Sequence, residues 1–190
     1  MVDHSKIKKA VRMLIEAIGD DPDRPGLKET PDRVARAYDE WFEGMEYTNE
    51  AIATMNMKLF EGEGGNNLVA VGNIPIFSFC EHHMAMMINM KVGVAYIPKD
   101  GVLGLSKVAR IADLCGKRLQ LQERLGEDIA ECIEIATGAE DVMVVIEGEH
   151  TCMTTRGINK PGTLTRTATL KGAFKTDSDL RSEAYRLLGY

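Results

Sequence analysis

At 190 residues, 44% hydrophobic and 27% charged, the chain has the balance of one globular domain able to bury a sizeable core, which excludes disorder as the default. Its net charge of −6 sets the surface as a whole against nucleic acid and anionic lipid, so neither partner is expected and any local cluster of Lys and Arg gains meaning. No run approaches the roughly 18 apolar residues of a membrane span, and the opening Met1-Val2-Asp3-His4-Ser5 lacks the basic-then-apolar plan of a secretory signal, so the expected location is the reducing cytoplasm.

No internal repeat or low-complexity tract interrupts the chain. The first helix is expected over 5–18, with Ile7, Val11, Leu14, Ile15 and Ile18 on one face. Gly19 ends it, and the turn chemistry of Asp20 to Gly26 follows. A second helix is expected to start with Thr30 as N-cap and Pro31 at its first position, burying Val34, Tyr38, Trp41 and Phe42 before Gly44. A shorter one is expected over 49–55. Beyond Leu68 the period changes. Residues 68–71 and 74–79 read as two short strands separated by Gly72-Asn73, and 84–96 alternates as one long strand with Met84, Met86, Ile88, Met90, Val92, Val94 and Tyr96 on one face. Helices are expected over 107–119 and 124–136, strands over 142–147 and 163–170, and a last helix over 179–188 with Ser178 as cap. Strand pairs bracketing two helices can pair antiparallel, which argues for an α+β fold over a doubly wound sheet. Long alternating strands also leave edges to protect, so closure through oligomerisation is expected.

The chemistry concentrates in Cys80-Glu81-His82-His83 and His150-Thr151-Cys152, where three of the chain's four histidines and two of its four cysteines share seven positions. Cys80 and His83 have the spacing of a two-ligand metal clip, and thiolate plus imidazole suits Zn²⁺. Reading 147–152 as continued strand puts His150 and Cys152 on one side, two residues apart. Three protein ligands leave a tetrahedral position open, the catalytic arrangement; a closed structural site would need His82 or His150 as fourth ligand. Two thiolates and a neutral imidazole cancel the ion's charge, so general acid–base help is needed, and His82 and His150 are placed to give it. Cys115 and Cys132 fall on apolar helix faces and read as core residues. The H-E-x-x-H pattern, the nucleobase-deaminase pattern and a Walker A loop are all missing.

A second cluster is Gly104-Leu105-Ser106-Lys107-Val108-Ala109-Arg110. It reads as a loop feeding a helix with Ser106 as N-cap, where free backbone N–H groups favour an anion. Lys107 and Arg110 share a face, and Arg156 and Lys160 add charge near the metal ligands. The competing reading is a solvated basic helix face. Glu123, in Gln122-Glu123-Arg124, could be simple dipole compensation or could accept from a guanine edge; spacing leaves both open.

In this order, Cys80-Glu81-His82-His83, Gly104-Leu105-Ser106-Lys107-x-x-Arg110, Gln122-Glu123-Arg124-Leu125 and His150-x-Cys152-x-x-x-Arg156-Gly157 closely resemble the zinc-dependent GTP cyclohydrolase I family. The likeness extends from the N-terminal helix and Glu29-Thr30-Pro31-x-Arg33 to the last helix, nearly the whole chain. It implies a tunnelling fold, an antiparallel sheet with two helices on one face that closes into a barrel between subunits, with a helical region over 1–60 and the catalytic domain over 61–190. Also implied are a homodecamer of two pentameric rings with interfacial sites, and one zinc per subunit on Cys80, His83 and Cys152. The implied reaction converts GTP and water to formate and 7,8-dihydroneopterin triphosphate: zinc-activated water opens the imidazole ring at C8, and an Amadori rearrangement precedes ring closure. By position, His150 and His82 would move protons, with Ser106 joining His150 in the later stage. Glu123 with Gln122 would read guanine. Lys107, Arg110, Arg156 and Arg33 would bind the triphosphate, Arg33 from a neighbouring subunit. The chain departs from the family at Met84-Ala85-Met86-Met87, where a Leu-Leu-Pro-Phe-like run is common. A nitrile-reductase relative with a cysteine nucleophile, or a zinc-stabilised nucleotide sensor without turnover, are the competing readings; metal content and turnover separate them.

Overall fold

The computed structural model describes residues 2–62, 67–99 and 101–190. The chain divides into two compact units, Met1–Glu46 and Tyr47–Tyr190.

In the first unit, α1 (His4–Ala17) begins at Asp3, whose carboxylate accepts from Lys6 N at 3.1 Å. Helix α2 (Thr30–Trp41) carries Pro31 in its first turn, but its N-cap is Glu29 rather than Thr30 and no side chain bonds the free N–H groups. The helices and their connecting loop are registered by a His4–Asp39 hydrogen bond of 2.7 Å and by ion pairs of Lys8 with Asp32 and of Arg12 with Asp23, the latter through two hydrogen bonds of 2.9 and 3.0 Å. Such exposed pairs orient more than they stabilise. Only Ile15 of the expected apolar face of α1 is buried; Leu14 is 63% and Ile18 80% exposed.

The second unit opens with α3 (Asn49–Asn56), capped by the Thr48 hydroxyl, which accepts from Ala51 N. Strands β1 (Leu59–Glu61) and β4 (Gly101–Leu103) form a small antiparallel ladder. The main sheet has the order β5-β2-β3-β6-β7, built from β2 (Val69–Cys80), β3 (Ala85–Tyr96), β5 (Leu119–Gln120), β6 (Val142–His150) and β7 (Leu164–Leu170). All its neighbours are antiparallel except the short β2–β5 pair. Helices α3, α4 (Leu105–Gly116) and α5 (Gln122–Thr137) cover one face, enclosing a core that includes Ile52, Val92, Val94, Val108, Ile111, Leu125, Ile129 and Ile146. The other face holds α7 (Ala173–Thr176) and α8 (Ser178–Leu188), with Phe174, Ala184 and Leu188 against Ala95, Met143 and Val145. The arrangement is α+β. Among the described residues no helix is long and apolar enough to cross a membrane.

Two bulges correct the simple strand readings. Gly72-Asn73 does not end a strand: β2 runs through it with a register shift between Val71 and Ile74, and Asn73 takes φ 54°. In β3 a shift between Ile88 and Lys91, with Asn89 at φ 53°, inserts an extra residue. The bulge flips the alternation, so Met87 is buried while Met86 and Ile88 are only half-buried.

Candidate metal centre

Strands β2 and β3 are joined by a tight turn in which His83 N and Met84 N both donate to Cys80 O, at 3.3 and 2.8 Å. Met84 closes the turn in the left-handed region, φ 50°, a conformation uncommon outside glycine. The turn folds His83 back over the residue where it began, leaving His83 Nδ1 3.9 Å from Cys80 Sγ. The third group comes from far along the chain. Strand β6 pairs with β3 up to His150 opposite Met87. There the ladder ends, and the chain turns into α6 (Thr151–Thr154) rather than continuing as the expected strand to Cys152. Thr151 fixes that change of direction by donating its hydroxyl to Met86 O at 2.7 Å, so the single helical turn presents Cys152 to the hairpin.

The ligand atoms of Cys80, His83 and Cys152 all lie within 4.8 Å of one another. Tetrahedral zinc, with bonds of about 2.3 Å to sulfur and 2.0 Å to nitrogen, calls for separations of roughly 3.5–3.8 Å. The trio therefore fits after small side-chain shifts. Burial, and then the neighbouring Cys80, raise the Cys152 thiol; a dication between the sulfurs relieves both penalties. His82 Nδ1 is also 3.9 Å from Cys80 Sγ, so proximity to Cys80 does not separate the two histidines. His83, not His82, completes the trio with Cys152.

His150 stands at the end of β6, half-buried, its Nε2 2.9 Å from Gln122 Oε1. Burial lowers its pKa, and the exposed carboxylate of Glu123 opposes that shift. Gln122, expected beside a guanine, is 1% exposed, and its amide nitrogen is directed at Ile146 O, Thr165 O and Thr167 Oγ1. Arg156 reaches the centre through Nη1, 2.8 Å from His83 Nε2. Lys160 lies in the loop beyond, its backbone N–H bound to Met153 O.

The anion cluster lies elsewhere in the same unit. Leu103 N donates to Tyr96 Oη at 2.9 Å, which pins the chain just ahead of α4 to the end of β3 opposite Ala85. Strand β3 has 12 residues, about 36 Å of extended chain. Ser106, Lys107 and Arg110 therefore do not converge on the cysteines within one chain. The N-cap of α4 is Gly104 and makes no side-chain cap; Ser106 stands two residues past it, inside the helix. Arg33 belongs to the first unit, where it is exposed and pairs with Glu29 at 2.7 Å.

A supporting network behind the hairpin escaped the sequence reading. Arg124 pairs with Glu81 inside the ligand turn and donates to Gln120 Oε1 (3.0 Å) and Leu119 O (3.2 Å). Gln120 Nε2 in turn donates to Asp128 (2.7 Å), which also accepts from Arg118 (3.1 Å). Its members are scattered over 81–128, and no local spacing signals such a set.

A family model described as GTP cyclohydrolase I matches residues 7–189. GTP cyclohydrolase 1 of Ruminiclostridium cellulolyticum is 56% identical over 98% of both chains. That of Clostridium acetobutylicum is 56% identical over 94% of both, and that of Clostridium beijerinckii 53% over 98% of both. A solved apo form of archaeosine synthase QueF-Like gives only a loose likeness: TM-score 0.44 and 22% identity, over 55% of this chain and 93% of that one. Identity above one half along nearly the entire length leaves no second assignment, and the chain belongs to the GTP cyclohydrolase I family.

Proposed function

We infer that this protein is a GTP cyclohydrolase I, a hydrolase that converts GTP and water to formate and 7,8-dihydroneopterin triphosphate, committing the purine to pterin synthesis. The observation that carries the reading is the meeting of Cys80, His83 and Cys152 from two distant segments in a chain of this family. Two thiolates and an imidazole, joined by no fourth ligand among the described residues, suit zinc in an open, catalytic coordination, one ion per subunit. Bound there, zinc would supply the Lewis acidity that makes water nucleophilic enough to add to a purine carbon, here C8.

The chain's own residues do the rest. His150 relays a proton to N7, taking it from the attacking water, and burial, which disfavours the imidazolium, favours its onward transfer. His82, exposed beside Cys80, assists as the imidazole ring opens and formate leaves. His150 and Ser106 serve the Amadori rearrangement that precedes ring closure. Glu123, exposed in the first turn of α5, accepts from the guanine edge, with Gln122 behind it. Lys107, Arg110, Arg156 and Arg33 take the triphosphate. Were a metal held at His83 Nδ1, the ring nitrogen 3.9 Å from Cys80 Sγ, the ring proton would sit on Nε2, which would no longer accept from Arg156 and would leave the guanidinium for phosphate.

Since Ser106 and Lys107 start a helix at the opposite end of β3 from the cysteines, a complete site takes its anion-binding half from a second copy. The main sheet also has open edges, at β7 and along most of β2 beyond the two-residue β5. Pairing such edges between subunits closes a barrel, which supports a tunnelling fold with its catalytic domain over 61–190 and assembly as two stacked pentamers. The reducing cytoplasm, where Cys80 and Cys152 stay free, is the fitting location.

The test is chemical. Zinc-loaded protein given GTP should release formate and accumulate a pterin that fluoresces after oxidation, and a chelator should stop both. GTP bound without formate release would replace the enzyme with a nucleotide sensor.

A further inference from the structure

Gln122 is fully buried at the first turn of α5, yet no apolar function explains a primary amide there. Its nitrogen faces Ile146 O at 3.1 Å, Thr165 O at 3.1 Å and Thr167 Oγ1 at 3.2 Å. Two of these are backbone carbonyls, which only accept. Turning the amide over would set its oxygen against both, so the orientation is compelled by the strands β6 and β7 beneath it. The amide oxygen then points at His150 Nε2, 2.9 Å away. An amide oxygen can only accept, so the ring nitrogen facing it carries the proton. Space for this contact comes from Gly148: a Cβ there would lie 2.9 Å from Met90 Cγ and 3.4 Å from Gln122 Oε1.

We propose that Gln122 is a positioning residue that anchors the His150 ring by accepting from Nε2–H, fixing its tautomer and leaving Nδ1 as the nitrogen offered to substrate. The proposal rests on the reading of His150 as a proton carrier for GTP and assigns Gln122 a role through that histidine rather than on the guanine. The direction of control runs from the sheet outward: β6 and β7 carbonyls orient the amide, the amide orients the imidazole, and the imidazole meets the substrate. A guanine reader would need free amide groups at the surface; this amide has none.

Two measurements decide it. Solid-state NMR of the zinc-loaded protein labelled with ¹⁵N-histidine, the His150 signals assigned by their loss in His150→Asn, should show neutral His150 with a protonated Nε2 and a bare Nδ1. A bare Nε2 overturns the proposal. In Gln122→Met, zinc content should hold and KM for GTP stay within twofold while kcat for formate release falls about 100-fold, the lower range for a general acid–base group, and the ring should lose its single tautomer. A raised KM with kcat preserved would instead make Gln122 a guanine reader and overturn the anchoring role. Should Gln122→Met fail to fold, the wild-type spectrum still decides. The ring assignment needs no turnover, so failure of the anchoring role and failure of GTP hydrolysis leave different records.

Discussion

The two ends of β3 carry the two halves of the proposed site, and they are built on different principles. At the Ala85 end, strands converge: the β2–β3 turn supplies Cys80 and His83, and the end of β6 supplies Cys152. Every piece of that grip comes from one chain. At the Tyr96 end a helix begins, carrying Ser106, Lys107 and Arg110 in its first two turns. A metal needs donors within a few ångströms and so favours a self-contained hairpin. A triphosphate is long, and its binding groups can stand on another copy. On the proposed reading, the contrast teaches that one chain brings its three candidate metal ligands together and leaves its candidate anion-binding residues apart from them.

The strongest attempt to break this picture removes the clip. Cys80→Ala and Cys152→Ala should each lose stoichiometric metal, read by elemental analysis, and with it detectable formate release. Full activity in either variant would end the metal assignment. Next comes a mixing test of the two-copy site. Cys80→Ala and Lys107→Ala proteins, each inactive alone, should regain about a quarter of wild-type activity when unfolded and reassembled together in equal amounts, because random assembly pairs an intact clip with an intact anion half that often. No regain would return both halves to one subunit.

Smaller effects sharpen the metal end. Arg124→Ala releases Glu81 and the ligand turn without touching a ligand, so zinc affinity should weaken about 10–100-fold, measured by competition with a chromophoric chelator. The pH dependence has a definite sign. Cys152 is raised by burial and by Cys80, so at neutral pH the proton competes for the thiolate; zinc affinity should rise with pH through the thiol range and fall below it, with protons released on binding. A flat profile would mean the thiols are already ionised. The smallest change lies away from both ends. Thr48→Ala removes the cap of α3 and should cost about 1 kcal/mol of stability, seen in chemical denaturation, with zinc affinity unchanged.

Much of this was legible before any coordinates, for a reason that varies with distance along the chain. The two candidate ligands of the β2–β3 hairpin stand three residues apart, so Cys80-Glu81-His82-His83 announces its chemistry locally. The helices announced themselves by period, although their caps did not: Asp177, not Ser178, caps α8, because its carboxylate reaches both Asp179 N and Leu180 N at 2.9 Å. The exposed faces of Leu14 and Ile18 show that amphipathic spacing marks a face, not what covers it.

What the sequence alone determined is what sits on short segments: the candidate ligand types, the basic helix start, the order of the longer strands and helices but not of the short β1, β4, β5, α6 and α7, and the family. Only the tertiary structure decided that β6 breaks into a helical turn at Thr151, that Gln122 turns inward to His150, that Arg124 braces Glu81, and that Ser106 stands apart from the cysteines. Each of these depends on which distant carbonyl or carboxylate a side chain meets, and residue type and spacing carry no record of such meetings until the strands have paired.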